Sequence, residues 1–441
     1  MKSSLINNVL DADLPSIDRA EGVWLYDTAG RKYIDGCSGA VVATIGHAHP
    51  HVLEAMGRQA AKVTFTHRGA FTSADADDLA NRLCAFTGYQ GAWFVNSGSE
   101  AVEAAMQFAL QFFRETGQPD RDWFLSMTRS YHGNTLGGLS LSGHARRVVA
   151  GALAHQFPAL PTAYSYREKG DRSESDYAAD LLRGAREQFE EHGSRLAGIV
   201  VEPVGGATLG ATVPPAGYLE GLRALCDEFG VLMIADEVMT GLGRTGKPLA
   251  LQHWGVKADL VAIGKGLGAG YTPIAATLVD GGIIAAIESG SGRVLGGHTY
   301  AGNPLSIATA SAVFDVLTAD DFIMKGDEKA TYLRSKLVSL QDEHELIGDV
   351  RGVGMQIALE FVQDREAKST NLETGALARS IARAAMDHGA VIYVCTGGFN
   401  DAVQISPPLN ITREELDILV DCIDRALADV AADLAMVGVP A

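Results

Sequence analysis

The chain predicts an α/β fold, a mostly parallel sheet held between helices, with a smaller α+β unit attached. Three observations carry that expectation. Short, wholly apolar runs (LAGIVV, VLMIA, LVAIG) recur mid-chain with helical segments between them, as in parallel strands covered on both faces. Beyond about residue 310 the order changes to long helix, strand, helix, strand, strand, helix. The composition is globular, with 47% hydrophobic and 20% charged residues and only 14 prolines among 441 residues.

Each element has its own signal. Residues 23–34, VWLYDTAGRKYI, alternate apolar and polar about a Thr28-Ala29-Gly30 turn and predict a hairpin. A turn rich in Gly and His precedes a short helix, Val52 to Ala61. Ala76, Leu79, Ala80, Leu83 and Phe86 recur at helical spacing over 75–86. Gly91 to Val95 predicts a strand, and SGSEAVEAAMQFALQFF (97–113) a helix that Ser97 or Ser99 can cap, with Glu100 and Glu103 early in it. A strand is expected at 123–127, a surface excursion at 157–176 and a helix at 177–192. LAGIVV is then a buried strand, 217–229 a helix, and VLMIADEV and ADLVAIG two more strands. The later unit predicts strands at 355–362, 391–395 and 403–405, with helices at 372–389 and 412–432. The length suits two or three structural units. The expected division is a large domain over 51–309 and a small one from 1–50 and 310–441.

Bulk properties exclude some functions. A formal net charge of −18 makes nucleic acid and anionic membranes poor partners. No apolar run reaches membrane length, and Met1 to Leu10 lacks the regions of a signal peptide. Cys37, Cys84, Cys226, Cys395 and Cys422 are scattered without a CxxC pair, which predicts reduced, buried thiols and a cytoplasmic protein. The 50 glycines exceed the roughly 7% typical of proteins and call for turns and close backbone approaches.

Three places can carry chemistry. VLMIADEV ends in Asp236-Glu237, and ligands of open α/β sheets bind beyond the carboxyl ends of strands; a solvated strand end is the plainer reading. Lys265 follows the next apolar strand among glycines. A snorkelling lysine is the plain alternative, but those glycines offer no side chains to cover its stem. A buried lysine tends to lose its proton, as Schiff-base chemistry requires. Asn96-Ser97-Gly98-Ser99 joins a strand to a helix whose free amides can cradle an anion, or simply cap the helix. Phosphate cradle, strand-end lysine and strand-end aspartate together are the parts needed to hold pyridoxal phosphate, with Lys265 in imine linkage and Asp236 on the pyridine nitrogen.

The stretches VWLYDTAGRKYIDG, GHAHPHV, FVNSGSEAVEAAMQFA, SYHGNTLG, VVEPVGG, PPAGYLEGLRALCDEFGVLMIADEVMTGLGRTG, DLVAIGKGLGAGYTPIAA, GHTYAGNPLSIATA, DVRGVGMQIALEF and SPPLNIT run from about 23 to 412. In that order they resemble the class III (omega-type) pyridoxal-phosphate aminotransferases of fold type I. The resemblance implies a seven-stranded-type sheet in the large domain and a homodimer with shared active sites. It makes Lys265 the aldimine lysine and Asp236 the partner of the ring nitrogen. Ser97, Gly98 and Ser99 become phosphate ligands, and Tyr131, next to His132 in the YHG motif, the stacking residue. Val238 is implied on the opposite ring face, Glu202 near substrate and cofactor hydroxyl, and Thr299 as a phosphate ligand given to the neighbouring subunit.

The implied reaction moves an amino group from a primary amine or ω-amino acid to a keto acid, pyruvate or 2-oxoglutarate, by a ping-pong route through pyridoxamine phosphate. A racemase, epimerase or aminomutase would use the same cofactor residues. One departure stands out. Many family members bind the substrate carboxylate with an arginine shortly before the PPL turn, yet no Lys or Arg lies between Arg383 and Arg413, and Gln404 holds one expected position. Trp24, Arg68 and Gln404 are therefore the substrate-contact candidates. Gly264 also stands where the family usually has Ser before the lysine. Gly241 to Gly246 fits GxGxxG, but Asp236–Thr240 intervenes and Pro248 obstructs a helix there, so it is not read as a dinucleotide site. His47, His49 and His51 read as a turn near the site rather than a metal centre. Arg351, in an RGxG pattern, is read as structural or as a substrate contact.

Overall fold

The computed structural model describes residues 4–10 and 14–436; residues 1–3 of the segment read for a signal lie outside them. Strands β1 (Ile17–Glu21), β2 (Trp24–Asp27) and β3 (Lys32–Asp35) form an antiparallel meander. Gly30, at φ +82°, turns the expected β2–β3 hairpin, and Asp27 Oδ1 accepts from the Ala29 and Arg31 amides inside it.

The central sheet uses β4 (Gly91–Val95), β5 (Trp123–Met127), β6 (Ala159–Leu160), β7 (Leu196–Val201), β8 (Leu232–Asp236), β9 (Leu260–Ile263) and β10 (Ala275–Val279). Their order is β4-β10-β9-β8-β7-β5-β6. All run parallel except β10, which is antiparallel to both its neighbours. The sheet is thus mostly parallel and seven-stranded, as expected; β10 has no counterpart in the sequence reading, which assigns no element to 275–279.

Alternate side chains feed opposite faces. Ile199, Val201, Met233, Ala235, Val261 and Ile263 join one core, while Val200, Ile234, Leu260 and Ala262 join a second with Phe108 and Phe113 of helix Gly98–Glu115. Each large apolar side chain so buried contributes roughly 1.5–3 kcal/mol. That two-sided burial is why these strands read as unbroken apolar runs.

The remaining strands are β11 (Ile347–Val353), β12 (Gln356–Phe361), β13 (Ala390–Val391), β14 (Tyr393–Val394) and β15 (Ala402–Ile405). One sheet has the order β11-β12-β15-β14, and β13 extends the N-terminal meander by pairing parallel to β3. The strand expected over 391–395 is therefore two short strands in different sheets, changing partners at Ile392. The long helix expected after 310 is also two, Pro304–Thr318 and Phe322–Glu343, parted by Asp320 and Asp321 at positive φ. The first of these spans the expected 309/310 boundary and buries Ile307, Val313 and Leu317 in the large core. Val23 and Ile34 pack instead with residues 330–434.

The 157–176 excursion is anchored. Fully buried Glu360 on β12 accepts from Arg167 Nε at 2.5 Å, from the Tyr164 hydroxyl, and from Asn400 Nδ2 at 3.0 Å, and pairs with Arg351 Nη1 at 2.7 Å. Arg351 also donates to Gly210 O at 2.7 Å, so its role here is to tie chain segments together. The five cysteines are free; four are buried and Cys84 is half-buried. Among the described residues no helix is long and apolar enough to cross a membrane.

Candidate active site

Parallel topology puts the carboxyl ends of β4, β5, β7, β8 and β9 on one sheet edge, and each is followed by a residue singled out above. Pairing of Asp236 with Ala262, and of Val201 with Ala235, sets Glu202, Asp236 and the Lys265 turn at one level.

Asp236 is 8% exposed and both its oxygens are engaged. Oδ1 accepts from the Val238 amide at 3.1 Å, and Oδ2 lies 2.9 Å from His132 Nδ1. Burial disfavours charge on His132, but the hydrogen bond and the charge of Asp236 outweigh it and raise its pKa. The buried His132 Nε2 has no partner among the described residues. The His132 amide donates to Ser142 Oγ at 2.9 Å, fixing the backbone that carries the ring.

Lys265 lies two residues past β9 at φ +39°, a left-handed conformation that costs a non-glycine residue on the order of 1–2 kcal/mol. Its Nζ has no hydrogen bond or ion pair among the described residues. Burial pulls its pKa down to about 8, against the opposing pull of the Asp236 and Glu202 carboxylates. Glu202 accepts from the Tyr131 amide at 3.2 Å and the Gly206 amide at 3.0 Å, and burial pushes it up to about 7.

At the end of β4, Ser97 Oγ caps its helix by accepting from Glu100 N at 3.2 Å. Gly98 and Ser99 occupy the first helical positions, whose amides have no intrahelical acceptor. Ser99 Oγ accepts from Asn134 N at 3.1 Å, drawing the YHG turn onto the helix start. That closeness excludes side chains: a Cβ on Gly133, at φ +114°, would lie 2.6 Å from Ser99 Oγ, and one on Gly98 would lie 2.8 Å from Val238 Cγ1. Free amides, a hydroxyl and bare backbone suit a phosphate; an unpartnered amine beside a fixed carboxylate suits a pyridinium aldehyde. The residues present fit pyridoxal phosphate.

Four candidates make no direct hydrogen bond to Asp236, His132 or Lys265. Trp24 donates to Glu415 Oε1 at 2.8 Å and carries Lys32 Nζ 3.4 Å from its ring centroid, so its recorded partners are outside the Lys265 cluster. Arg68 is exposed, 4.8 Å over the Trp93 ring. Thr299 is exposed on the same chain, within the exposed run 295–300. Gln404, fully buried, donates to Gly206 O at 2.7 Å, on the turn that also binds Glu202.

Other groups have structural duties. Arg244, in the GxGxxG stretch, is 1% exposed and donates to Pro407 O at 2.6 Å, locking that loop to the PPL turn. His47 pairs with Asp35 and His51 with Asp315, at 2.9 and 2.8 Å, so the alternating histidines diverge. Glu237 is buried and accepts from Ala250 N and Leu251 N, both at 2.9 Å. The sequence reading does not single out Ser142, His144 or Arg146, which meet the YHG turn only through folding and belong to no recognisable motif.

The aminotransferase class-III family profile matches residues 8–427. An uncharacterized aminotransferase, YodT of Bacillus subtilis, is 39% identical, covering 98% of this chain and 99% of that protein. The adenosylmethionine-8-amino-7-oxononanoate aminotransferase of Geobacter sulfurreducens is 34% identical over 93% of this chain and 91% of its own length. Among solved structures, an amine transaminase from an uncultivated Pseudomonas species, crystallised with pyridoxal phosphate bound, superposes with a TM-score of 0.90 at 32% identity, covering 97% of each chain. With the strand-end lysine and aspartate on one edge of a mostly parallel sheet, these matches establish that the chain belongs to the class III aminotransferases.

Proposed function

We propose that this enzyme transfers an amino group from a primary amine or ω-amino acid to a keto acid such as pyruvate or 2-oxoglutarate, in two half-reactions on pyridoxal phosphate. The observation that carries the reading is Lys265: an unpaired amine with a pKa brought down to about 8, one strand from the Asp236–His132 pair. The cofactor, when bound, supplies the carbonyl that takes up the amine and an electron-withdrawing ring.

The chain's residues supply the rest. Ser97, Gly98 and Ser99 hold the phosphate at the helix start, and Tyr131 and Val238 take the two ring faces. Asp236, oriented by His132 and the Val238 amide, keeps the ring nitrogen protonated. Lys265 would be the amine that bonds the cofactor's carbonyl carbon, and its neutral Nζ is the base that would take up the proton leaving the donor carbon. Glu202 sits at the substrate side. Thr299 of the partner subunit completes the phosphate site in a cytoplasmic homodimer. Light scattering should give twice the chain mass.

The test is a donor panel without keto acid. A transaminase releases about one equivalent of carbonyl product per subunit and loses the bound cofactor's visible band, which pyruvate or 2-oxoglutarate then restores. Continuous interconversion of amino-acid isomers with no keto acid present would overturn the reading in favour of an isomerase.

A further inference from the structure

The segment before the PPL turn carries no cation, yet a keto-acid acceptor brings a carboxylate into the site. Gln404 is poorly suited to it, because its amide nitrogen is buried and donates to Gly206 O at 2.7 Å. A guanidinium approaches instead from another part of the fold. Arg146 is exposed, with Cζ 5.6 Å from the centroid of the Tyr131 ring and Nη1 3.4 Å from its hydroxyl. Among the described residues no carboxylate lies within ion-pair distance of it, in a chain whose formal charge is −18.

Its backbone is placed with care. The Arg146 amide donates to His144 Nδ1 at 3.1 Å, so His144 Nε2 is the nitrogen that donates to Thr396 Oγ1 at 3.0 Å. Burial brings the His144 pKa down to about 4, which holds the ring in this neutral form. The same ring meets Tyr131 edge-on at 5.1 Å. His144 thus pins the start of helix Ala145–Leu153 between Tyr131 and the 396–398 loop, and Arg146 projects from that pin. The neighbouring Arg147 is committed elsewhere, to Ser140 O at 3.0 Å and His155 O at 2.9 Å. The ionisable groups facing Arg146 are Tyr131, His144 and Tyr393, none of them an acid that would compete.

We infer that Arg146 binds the carboxylate of the keto-acid acceptor at the mouth of the site, beside Tyr131, in place of an arginine from the 384–412 segment. A guanidinium offers five donors in a planar fork that matches a carboxylate, and only one is engaged here by another side chain. The inference rests on the transaminase reading above and deepens it: the acceptor is an anionic carbonyl compound, held from the Tyr131 side.

The experiment compares wild type, Arg146→Gln, Arg146→Met and Arg68→Gln, each loaded with pyridoxal phosphate. The two half-reactions are followed separately by cofactor absorbance, with a carboxylate-free primary amine as donor and pyruvate as acceptor. Both Arg146 variants should raise the pyruvate half-saturation concentration about ten- to a hundredfold. The amine half-reaction should stay within about twofold, with cofactor band and thermal midpoint unchanged. An unaltered pyruvate response, an equal loss in both half-reactions, or a pyruvate-selective loss in Arg68→Gln instead would overturn the assignment. A wild type that runs no amine half-reaction would sink the transaminase reading itself, a different outcome.

Discussion

The floor and the rim of this site are built differently. On the floor, Asp236 and His132 are 8% and 1% exposed and bound to each other, and Asp236 also accepts from the Val238 amide at the end of β8, whose every side chain is buried. The proposed rim carries the exposed candidates Arg68 and Thr299, and near them in the chain Phe71 is 67% exposed, Tyr300 64% and Leu295 57%. Exposed apolar side chains gathered around a site mark a surface that another protein covers. The floor's hydrogen bonds close within one chain; in the homodimer proposed above, the exposed side chains are those a second copy would cover.

Breaking the floor should cost chemistry without the fold. Lys265→Ala removes the only side chain proposed to bond the cofactor and move the proton, so transamination should fall by at least about 10³-fold. The thermal midpoint should stay or rise, since Ala removes a buried, unpaired amine while leaving the backbone strain at φ +39° as it is. A variant that still turns over would break the distinction between floor and rim at its root.

The converse is Glu360→Gln, which should cost the fold without the chemistry. This carboxylate on β12 pairs with both Arg351 and Arg167. Burial alone would raise its pKa, and the two guanidiniums keep it below the ordinary value. Neutralising it leaves Arg167 without its ion pair and Arg351 with Asp349 alone, a loss of about 3 kcal/mol in unfolding free energy. Denaturant unfolding checks it, and the folded fraction should retain the wild-type cofactor band.

The same contrast explains what was legible in the sequence. Asp236, Lys265 and Gly98 could be found because each follows an apolar run in a local pattern that dictates its position. The lone antiparallel strand β10 escaped because it opens directly out of a glycine-rich turn, and β13 and β14 because two residues are too few to show a period. Glu237 reads like Asp236 but serves as a backbone acceptor, since one residue of strand changes where the side chain points. Arg146 carries no local sign at all: its neighbours Tyr131, Thr396 and Tyr393 come from distant segments. Trp24 looks like a site aromatic in sequence, yet its indole is engaged by Glu415.

A smaller effect sharpens the floor further. Gly133→Ala adds a Cβ 2.6 Å from Ser99 Oγ and 2.9 Å from Ser99 Cα, at φ +114°. The backbone conformation alone costs about 1–3 kcal/mol, and the shift it forces should loosen the phosphate cradle. Cofactor affinity, measured by equilibrium dialysis, should fall more than thermal stability does.

The subtlest test is the pH dependence of cofactor capture by apoprotein. Only the neutral amine of Lys265 attacks a carbonyl, and burial sets its pKa at about 8. The capture rate should therefore climb as pH rises to about 8 and level off above it, where an ordinary exposed lysine would go on climbing toward roughly 10.4. Asp236 opposes the drop, because its charge favours the ammonium form. In Asp236→Asn that opposition is gone, so the amine loses its proton more easily and the plateau should begin at lower pH, even though transamination itself is impaired. The two readouts must move in opposite directions if Asp236 acts through charge at the floor. A capture profile that keeps its midpoint in Asp236→Asn would mean the two side chains do not sense each other, and that strand-end proximity alone does not set the lysine's reactivity.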